Sequence, residues 1–311
     1  MAGNWISPAE KQMYDTFEHV LALPLDERIA MEEAENFPFT QTACAETLDL
    51  GRRSRSAMQL GGDNPACDST YSVVIDMGTV EAAVKMVDKG LRPAVLNFAH
   101  GYNCGGGFEH AGGSQEEDIF RKTSLVLSLW PHRRTDDGPG VLARGMWIGD
   151  FDDKLARKEP FYPHSECAVI YSPHVRAVRN LNLRGHPLRT EEAHTDLPLF
   201  SVLTCAAQDC GRDPPFRDDL LREKCRSVLW VASLRGHDSV VLGAFGCGYF
   251  HNPPEVVAKT WCELLQGEFA GMFTHVVFAI PGAYSRNYES FADVFPVREA
   301  RDENWLTPPT S

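Results

Sequence analysis

The feature that most constrains this chain is the glycine-rich stretch of residues 97–124, NFAHGYNCGGGFEHAGGSQEEDIFRKTS. It follows the short apolar run of residues 93–96 and leads into residues with helical spacing, so it predicts a strand, a loop and the start of a helix. The consecutive glycines Gly105, Gly106 and Gly107 indicate backbone that adopts positive φ or approaches another group closely. Open α/β sheets bind their ligands at such loops, beyond the carboxyl ends of the strands.

Two neighbouring carboxylates, Glu116 and Glu117, follow Gln115 at the point where the helix should begin. One interpretation is structural, because Ser114 and Glu117 have the spacing of a capping box and acidic residues are favoured in the first turn of a helix. The other is catalytic: one carboxyl acts as acid and base on a glycosidic bond while its neighbour orients a sugar hydroxyl. Neighbouring helical residues point about 100° apart. Both carboxyls could therefore face one substrate only if the start of the helix were irregular.

A second glycine-rich loop, GAFGCGYF, covers residues 243–250 between a predicted buried strand and a predicted helix. Its backbone N–H groups suit an anion held beside the start of a helix. The spacing of its glycines matches neither the Rossmann fingerprint nor a phosphate-binding P-loop. A tight turn would explain one such loop alone, whereas two of them predict a diphosphate held between the loops.

The rest of the chain alternates between strand and helix patterns, which predicts a three-layer α/β domain. Strands are predicted at residues 71–76, 92–98, 167–171, 199–205, 239–245 and 275–280. Helices are predicted at residues 79–89, 115–130, 220–234 and 254–269. The strand, helix and strand within residues 71–98 predict parallel pairing of the two strands with a right-handed crossover, and no strand is predicted after residue 280.

The chain divides by composition into two parts. We assign residues 1–68 to a helical N-terminal lobe or arm and residues 69–311 to the α/β domain. A long polar insertion at residues 132–164 is predicted to be a surface excursion rather than part of the core.

The composition argues against several classes of partner. The formal net charge of -13 weighs against general affinity for nucleic acid or an anionic membrane, and against capture of a polyanion by overall charge. The nine cysteines include no CxxC pair and indicate reduced thiols rather than a disulfide framework. Neither a signal peptide nor an apolar run of transmembrane length is found, so the sequence predicts a protein of the cytoplasm or nucleus.

The two loops together resemble those of a known family. GGGFEHAGGSQEE is similar to the GGG…QEE signature of poly(ADP-ribose) glycohydrolases, and the preceding VLNFA is similar to their bacterial-type branch. Further similar segments follow in family order across residues 70–292: TVEAA, IYSPHV, VLTCAAQ and LGAFGCGYFHNPPEVVA. The resemblance implies a macrodomain, in which a mixed, largely parallel sheet lies between helices and binds ADP-ribose.

The resemblance also implies roles for individual residues. Glu117 would be the acid and base that protonates the leaving oxygen at C1″ of the ribose, and Glu116 would bind the hydroxyls of that distal ribose. Further ligand contacts are implied near the ribose for Asn97, Asn103, Gly105, Gly106, Gly107 and Phe250, and at the diphosphate for Gly246, Cys247, Gly248 and Tyr249. Gln115 is also expected to contact the ligand.

Adenine is expected to stack on an aromatic residue that follows the last predicted strand. Tyr284, Tyr288 and Phe291 are the candidates, and Tyr284 is the first choice because it is nearest the strand. Phe291 best suits the alternative of a helix face packed on the core. Asp76, at the end of the first predicted strand, is a candidate partner for the adenine amine or else an exposed loop carboxylate.

Neither a cofactor nor a metal is expected. The resemblance is to a glutamate-dependent branch of the family, and the spacing of His100, His110, His251 and Cys104 matches no zinc-binding pattern. Satisfied or solvated histidines are the expectation at these positions.

The sequence thus predicts a hydrolase that cleaves the O-glycosidic ribose–ribose bonds of poly(ADP-ribose) on modified proteins and releases ADP-ribose. The alternatives are hydrolysis of a single ADP-ribose linked to an arginine or acidic side chain, non-catalytic binding of ADP-ribose, and an enzyme acting on free nucleotide metabolites. Cys104 and Tyr249 depart from the family pattern, in which a proline and a small aliphatic residue are usual. These departures fall near the expected position of the leaving group.

Overall fold

The computed structural model describes residues 34–37, 70–108, 113–133, 141–142, 146–147, 161–181, 196–213, 215–302 and 304–307. In chain order the strands are β1 Glu35–Phe37, β2 Tyr71–Ile75, β3 Pro93–Phe98, β4 Val141–Leu142, β5 Met146–Trp147, β6 Val169–Arg176, β7 Leu199–Cys205, β8 Ser239–Leu242, β9 His275–Ala279 and β10 Val297–Arg298. The helices are α1 Thr79–Asp88, α2 Gln115–Lys122, α3 Leu125–Leu129, α4 Asp218–Leu234, α5 Pro254–Gln266 and α6 Arg286–Ala292, with a 3₁₀ turn at Trp130–His132. None of the described helices is long and apolar enough to cross a lipid bilayer.

The main sheet has its strands in the order β1-β6-β7-β3-β8-β9-β2-β10. Neighbouring strands from β7 to β10 in this order run parallel, whereas β6 pairs antiparallel with both β1 and β7. The sheet is therefore mixed and largely parallel, as the resemblance implied. Strands β4 and β5 form a separate two-stranded sheet.

Helices cover both faces of the main sheet. Val73 and Ile75 of β2 pack on one face with residues of α1, α2 and α3, while Val74 packs on the other face with residues of α4, α5 and α6. A parallel sheet covered on both faces needs strands that are apolar on both sides, and residues 73–75 are fully buried. The predicted three-layer α/β arrangement is confirmed.

The predicted pairing of the first two strands of this domain was wrong. β2 and β3 run in the same direction, but β8 and β9 lie between them. Val240 and Val241 of β8 and Val276 and Val277 of β9 are fully buried, so these later strands are apolar enough to occupy the centre of the sheet. The two strands joined by α1 are pushed apart as a result.

The helical pattern predicted from residue 115 to residue 130 is interrupted. α2 ends at Lys122, and Thr123 adopts an extended conformation with φ -135° and ψ 171°. Thr123 forms an isolated antiparallel bridge with Ala177, and its hydroxyl donates to the Ile119 carbonyl at 2.8 Å. This bridge to the chain beyond β6 ends the helix, and α3 begins again at Leu125.

The ends of the long insertion belong to the core and not to the surface. The ring of His132 stacks on Phe161 at 3.8 Å, and Tyr162 is 3% exposed. The N–H of His164 also donates to the carbonyl of Gly101 at 2.8 Å. The prediction of a surface excursion was therefore wrong for these residues, and residues 134–140, 143–145 and 148–160 lie outside the described part.

Two short edge strands were not predicted. β1 pairs with β6, so the described residues 34–37 of the N-terminal part belong to the main sheet, and the predicted helical lobe otherwise lies outside the described residues. β10 follows β9 and pairs with β2 at Val297 and Val74, so the strand ending near residue 280 is not the last. Strands of two or three residues are too short to show an alternating pattern.

Candidate active site

Loop 1, defined as residues 99–114, folds back over the start of α2 through two glycines in the left-handed region. Gly105 has φ +78° and Gly106 has φ +60°, conformations that favour glycine. A Cβ atom on Gly105 would lie 2.6 Å from ring atoms of both Phe108 and Phe120. This part of loop 1 therefore packs directly on the rings of Phe108 and Phe120, which fixes the distance between its backbone and α2.

The side chain of Gln115 fastens the first turn of α2 to the end of β3. Its Oε1 accepts a hydrogen bond from the N–H of Phe98 at 2.8 Å, and its Nε2 donates to the carbonyl of Leu96 at 2.6 Å. The amide thus pairs with the end of β3 as a neighbouring strand would. Gln115 therefore positions the first turn of α2 relative to β3, and the ligand contact implied for it stays a prediction.

Glu116 is almost completely buried against the end of β3, with 2% of its surface exposed. Its Oε2 accepts from the N–H of His100 at 2.8 Å, and its Oε1 lies 3.4 Å from Nδ2 of Asn97. Burial raises the pKa of Glu116 to about 8, the hydrogen bond from His100 opposes this change, and the charge of Glu117 adds to it. At neutral pH Glu116 is therefore a neutral carboxyl that can both donate and accept hydrogen bonds.

Glu117 forms the predicted capping box and also faces loop 1. Its Oε2 accepts from the N–H of Ser114 at 3.0 Å and from the Ser114 hydroxyl. Its Oε1 accepts from the N–H of Gly107 at 2.9 Å. The structural interpretation of the sequence is thus realised, but it uses only one of the two carboxyl oxygens.

The two carboxyl groups meet beneath Gly106. A Cβ atom on Gly106 would lie 2.6 Å from Oε1 of Glu117 and 2.9 Å from Oε2 of Glu116. The two glutamates occupy the first turn of α2, where their side chains diverge, and the backbone of loop 1 spans the gap between them. An irregular helix start is not needed, because the loop reaches across the helix.

Asn97 and Asn103, both implied ribose contacts, have different surroundings. Asn97 is fully buried, its Nδ2 lies 3.3 Å from the hydroxyl of Thr204, and its Oδ1 has no hydrogen-bond partner within the described residues. A buried amide oxygen left free beside Glu116 suits a hydroxyl donor from a ligand. Asn103 is exposed, and its N–H donates to Nδ1 of His100 at 3.0 Å.

Loop 2, defined as residues 243–253, is folded around the side chain of Asn252. Nδ2 of Asn252 donates to the carbonyl of Gln208 at 2.7 Å and to the carbonyl of Gly246 at 3.1 Å. Gly246 has φ +74°, and a Cβ atom there would lie 2.5 Å from Cβ of Ala207. Gly246 is therefore required by both conformation and packing. Sequence analysis did not single out Gln208 or Asn252, although Asn252 lies just before the proline start of α5.

In loop 2 no acceptor within the described part of the chain is found for the backbone N–H groups of Gly246, Gly248, Tyr249 and Phe250. Successive N–H groups without protein acceptors, beside the start of α5, form a cradle suited to an anion. Cys247 differs, because its N–H donates to the carbonyl of Ala244 at 3.1 Å. Burial raises the pKa of the Cys247 thiol to about 12, and the charge of Glu255 adds to this, so the thiol is not a nucleophile.

Aromatic rings join the two loops across the site. The Phe250 ring of loop 2 lies 6.2 Å from the His100 ring of loop 1, and Tyr249 follows at 6.1 Å from Phe250. Phe250 is partly buried, whereas Tyr249 is 73% exposed. Phe250 is therefore placed to pack on a ligand held between the loops, and Tyr249 projects outward from the same edge.

The expected adenine end has one accessible ring. Tyr284 is 97% exposed, whereas Tyr288 and Phe291 are buried in the core, as the helix-face alternative predicted for Phe291. Asp76 accepts from the N–H of Gly282 at 2.6 Å and from the N–H of Ala283 at 3.2 Å. Asp76 thus holds the turn that carries Tyr284, and a contact of Asp76 with adenine stays a prediction.

No group of three or more histidine, cysteine, aspartate or glutamate side chains within the described ranges is arranged to hold a metal ion. Nδ1 of His100 is satisfied within loop 1, because it accepts from the N–H groups of Tyr102 and Asn103. His110 lies outside the described residues.

Comparison with known proteins agrees with this geometry. The family model described as "Microbial-type PARG, catalytic domain", where PARG stands for poly(ADP-ribose) glycohydrolase, matches residues 26–180. This range includes loop 1 and α2 and ends before loop 2. No protein with a curated description matches the chain in sequence.

Solved structures match over most of the chain. Poly(ADP-ribose) glycohydrolase from Thermomonospora curvata bound to the inhibitor ADP-HPD is 26% identical, has a TM-score of 0.65, and the match covers 92% of this chain and 99% of that chain. Poly(ADP-ribose) glycohydrolase from Deinococcus radiodurans in complex with ADP-ribose is 28% identical, with a TM-score of 0.62 and coverage of 87% and 98%.

Proposed function

Since this chain belongs to the microbial-type poly(ADP-ribose) glycohydrolase family, we propose that it hydrolyses the ribose–ribose O-glycosidic bonds of poly(ADP-ribose) and releases ADP-ribose. One observation carries the proposal for this chain. Two carboxyl groups, Glu116 and Glu117, meet beneath Gly106, and a cradle of unpaired N–H groups in loop 2 lies across from them.

Residues in and around the two loops offer a contact to each part of ADP-ribose. The exposed ring of Tyr284 offers a stacking surface for adenine, and the N–H groups of Gly246, Gly248 and Tyr249 offer donors to the diphosphate. The distal ribose then lies between Phe250 and the carboxyl pair. There the free Oδ1 of Asn97 accepts from one hydroxyl.

Glu116 binds and orients the distal ribose in this proposal. It is neutral at pH 7 because burial raises its pKa to about 8, so it can donate a hydrogen bond to a ribose oxygen as well as accept one. Its hydrogen bond from His100 and its contact with Asn97 prevent rotation. A fixed ribose presents C1″ to the neighbouring carboxyl.

Glu117 supplies the proton transfer. In its protonated form it gives the proton to the leaving 2′-oxygen as the bond from C1″ breaks, and an oxocarbenium-like ribose forms. A water molecule then attacks C1″ and returns a proton to Glu117. The N–H groups of Gly107 and Ser114 hold the carboxyl in one orientation throughout.

Glu117→Gln tests this assignment. The amide oxygen of glutamine can still accept from Ser114, while the hydrogen bond from the N–H of Gly107 is lost. The affinity for ADP-ribose should be largely preserved while hydrolysis is lost by at least about 10²-fold. Release of ADP-ribose from labelled chains, thermal unfolding and calorimetric binding of ADP-ribose are the measurements. A variant that keeps most of its rate would show that Glu117 serves only as a helix cap.

The substrate class is tested by comparing poly(ADP-ribose) chains with proteins that carry one ADP-ribose on a defined acceptor. Release from chains supports the proposal. Release only from one mono-modified acceptor would assign the activity to mono-ADP-ribosyl proteins, and tight binding without turnover would leave a non-catalytic ADP-ribose binder.

A further inference from the structure

A turn that sequence analysis overlooked lies beside both loops. In residues 209–213, the carbonyl of Asp209 accepts from the N–H of Arg212 at 3.0 Å. The N–H of Cys210 donates to the carbonyl of Phe250 at 3.0 Å, and Gln208, just before the turn, accepts from Asn252. The turn is therefore held in a fixed position relative to loop 2.

The guanidinium of Arg212 is available to an anionic ligand. Its Nε lies 3.4 Å from Oδ2 of Asp209, and its side chain is 63% exposed. Within the described part of the chain its terminal nitrogens contact no acceptor. Asp209 therefore orients the guanidinium through Nε and leaves the two-nitrogen end free, which is the end that binds phosphate.

The imidazole of His100 provides a second donor near Arg212. Because Nδ1 of His100 accepts from the N–H groups of Tyr102 and Asn103, its hydrogen is on Nε2. Burial lowers the pKa of His100, the charge of Arg212 lowers it further, and Asp209 and Glu117 oppose the change. The main-chain N–H of His100 donates to Glu116, so this donor lies immediately beside the carboxyl pair.

A flat exposed ring completes the group. The Tyr102 ring lies 6.2 Å from the His100 ring and is 56% exposed. A large aromatic surface of this kind, beside two donors, suits a base attached to a phosphate.

We propose that His100, Arg212 and Tyr102 form a subsite for the leaving group and bind the 5′-phosphate and adenine of the nucleotide whose 2′-oxygen departs. This inference rests on the proposed function. In a poly(ADP-ribose) chain the leaving oxygen belongs to an adenosine with a 5′-phosphate, whereas the ADP-ribose that is released occupies loop 2 and Tyr284. Because the whole protein carries a net charge of -13, a local cation is needed to hold that second phosphate.

The subsite distinguishes chains from other ADP-ribose derivatives. A nucleotide leaving group contacts Arg212, His100 and Tyr102, while an aryl group or a side chain lacks the phosphate. The subsite should therefore raise kcat/KM for chains without changing the affinity for free ADP-ribose.

Two substrates that share ADP-ribose and differ in the leaving group provide the test: poly(ADP-ribose) chains, and ADP-ribose with a p-nitrophenyl group at C1″. The variants are Arg212→Ala and His100→Asn. The asparagine Oδ1 can replace Nδ1 as acceptor for the loop 1 N–H groups, while the Nε2–H donor is lost. Arg222→Ala is the matched control, because the Arg222 side chain is 41% exposed and is likewise paired with one carboxylate, Glu263.

We expect each site variant to lower kcat/KM for chains about tenfold more than for the aryl substrate, as the loss of a charge-assisted hydrogen bond predicts. Arg222→Ala should change both rates equally or not at all. An equal loss on both substrates, or no loss on chains, would overturn the subsite. Failure of the wild-type protein to cleave chains while it cleaves the aryl substrate would instead contradict the proposed function, so the two failures are distinguishable.

Discussion

Replacing Glu116 by glutamine tests whether a buried carboxyl carries a proton at neutral pH. Glutamine has nearly the same shape, and its amide oxygen can still accept from the N–H of His100. The substitution therefore removes the titration and keeps the principal contact. Any change in the pH dependence of stability can then be assigned to this one group.

The expected size of the effect follows from the pKa. The pKa of Glu116 is raised from 4.5 to about 8, so between these values the folded protein holds a proton that the unfolded chain releases. The stabilising contribution is complete below the unfolded pKa and is lost as pH rises through the folded pKa. Between pH 5.5 and pH 7.5 the free energy of unfolding should fall by about 2.5 kcal/mol more for the wild type than for Glu116→Gln.

Urea unfolding at those two pH values measures this difference directly. Glu289→Gln, which changes an exposed glutamate of α6, serves as the control and should follow the wild type at both pH values. Apart from the substituted glutamate itself, each variant shares its titrating groups with the wild type, so their contributions cancel in the comparison. If the gap between the wild type and Glu116→Gln is the same at both pH values, then Glu116 is ionised throughout and the reasoning fails.

Two further substitutions probe the site. Gly106→Ala would place a Cβ atom 2.6 Å from the Glu117 carboxyl at a residue with positive φ, so kcat for chain hydrolysis should fall by about 10²-fold. Gly113→Ala is the control and should leave kcat unchanged, because a Cβ atom there meets nothing within 4 Å. Unaltered turnover by Gly106→Ala would contradict the observed packing. Tyr284→Ala should raise the Kd for ADP-ribose about 5- to 150-fold by removing a stacking surface, and Tyr284→Phe should have the wild-type Kd. The Kd is measured by calorimetry. An unchanged Kd in the alanine variant would show that adenine does not stack on Tyr284.

Most of the secondary structure could be predicted from the sequence, because the residues of each strand or helix largely determine its conformation. The strand at residues 199–205 and the start of the helix at Gln115 were predicted at the positions the structure shows. Non-local features were not predicted. The positions of β8 and β9 between β3 and β2 depend on pairing across the whole domain, and the end of α2 depends on the bridge between Thr123 and Ala177.

The same division applies to the site. The glycines and the glutamate pair were identified from the sequence, and the structure brings them together. The role of Gln115 in fastening α2 to β3 was not predicted, because its pairing with Leu96 and Phe98 depends on the path of loop 1. For the same reason Arg212 was missed: nothing near it in the sequence indicates that its turn lies against loop 2.

The strand order has a consequence for how this protein is made. The two strands that lie between β3 and β2, namely β8 and β9, fall within residues 239–279 and leave the ribosome after β2, β3, β6 and β7. Until then the backbone N–H and C=O groups on the facing edges of β2 and β3 have no neighbouring strand, which leaves them open to pairing with other chains. Both glutamates are already synthesised at this stage, but loop 2, where we propose that the diphosphate binds, is not. During this interval the unpaired strand edges are exposed, and the proposed ligand cannot yet bind and stabilise the fold.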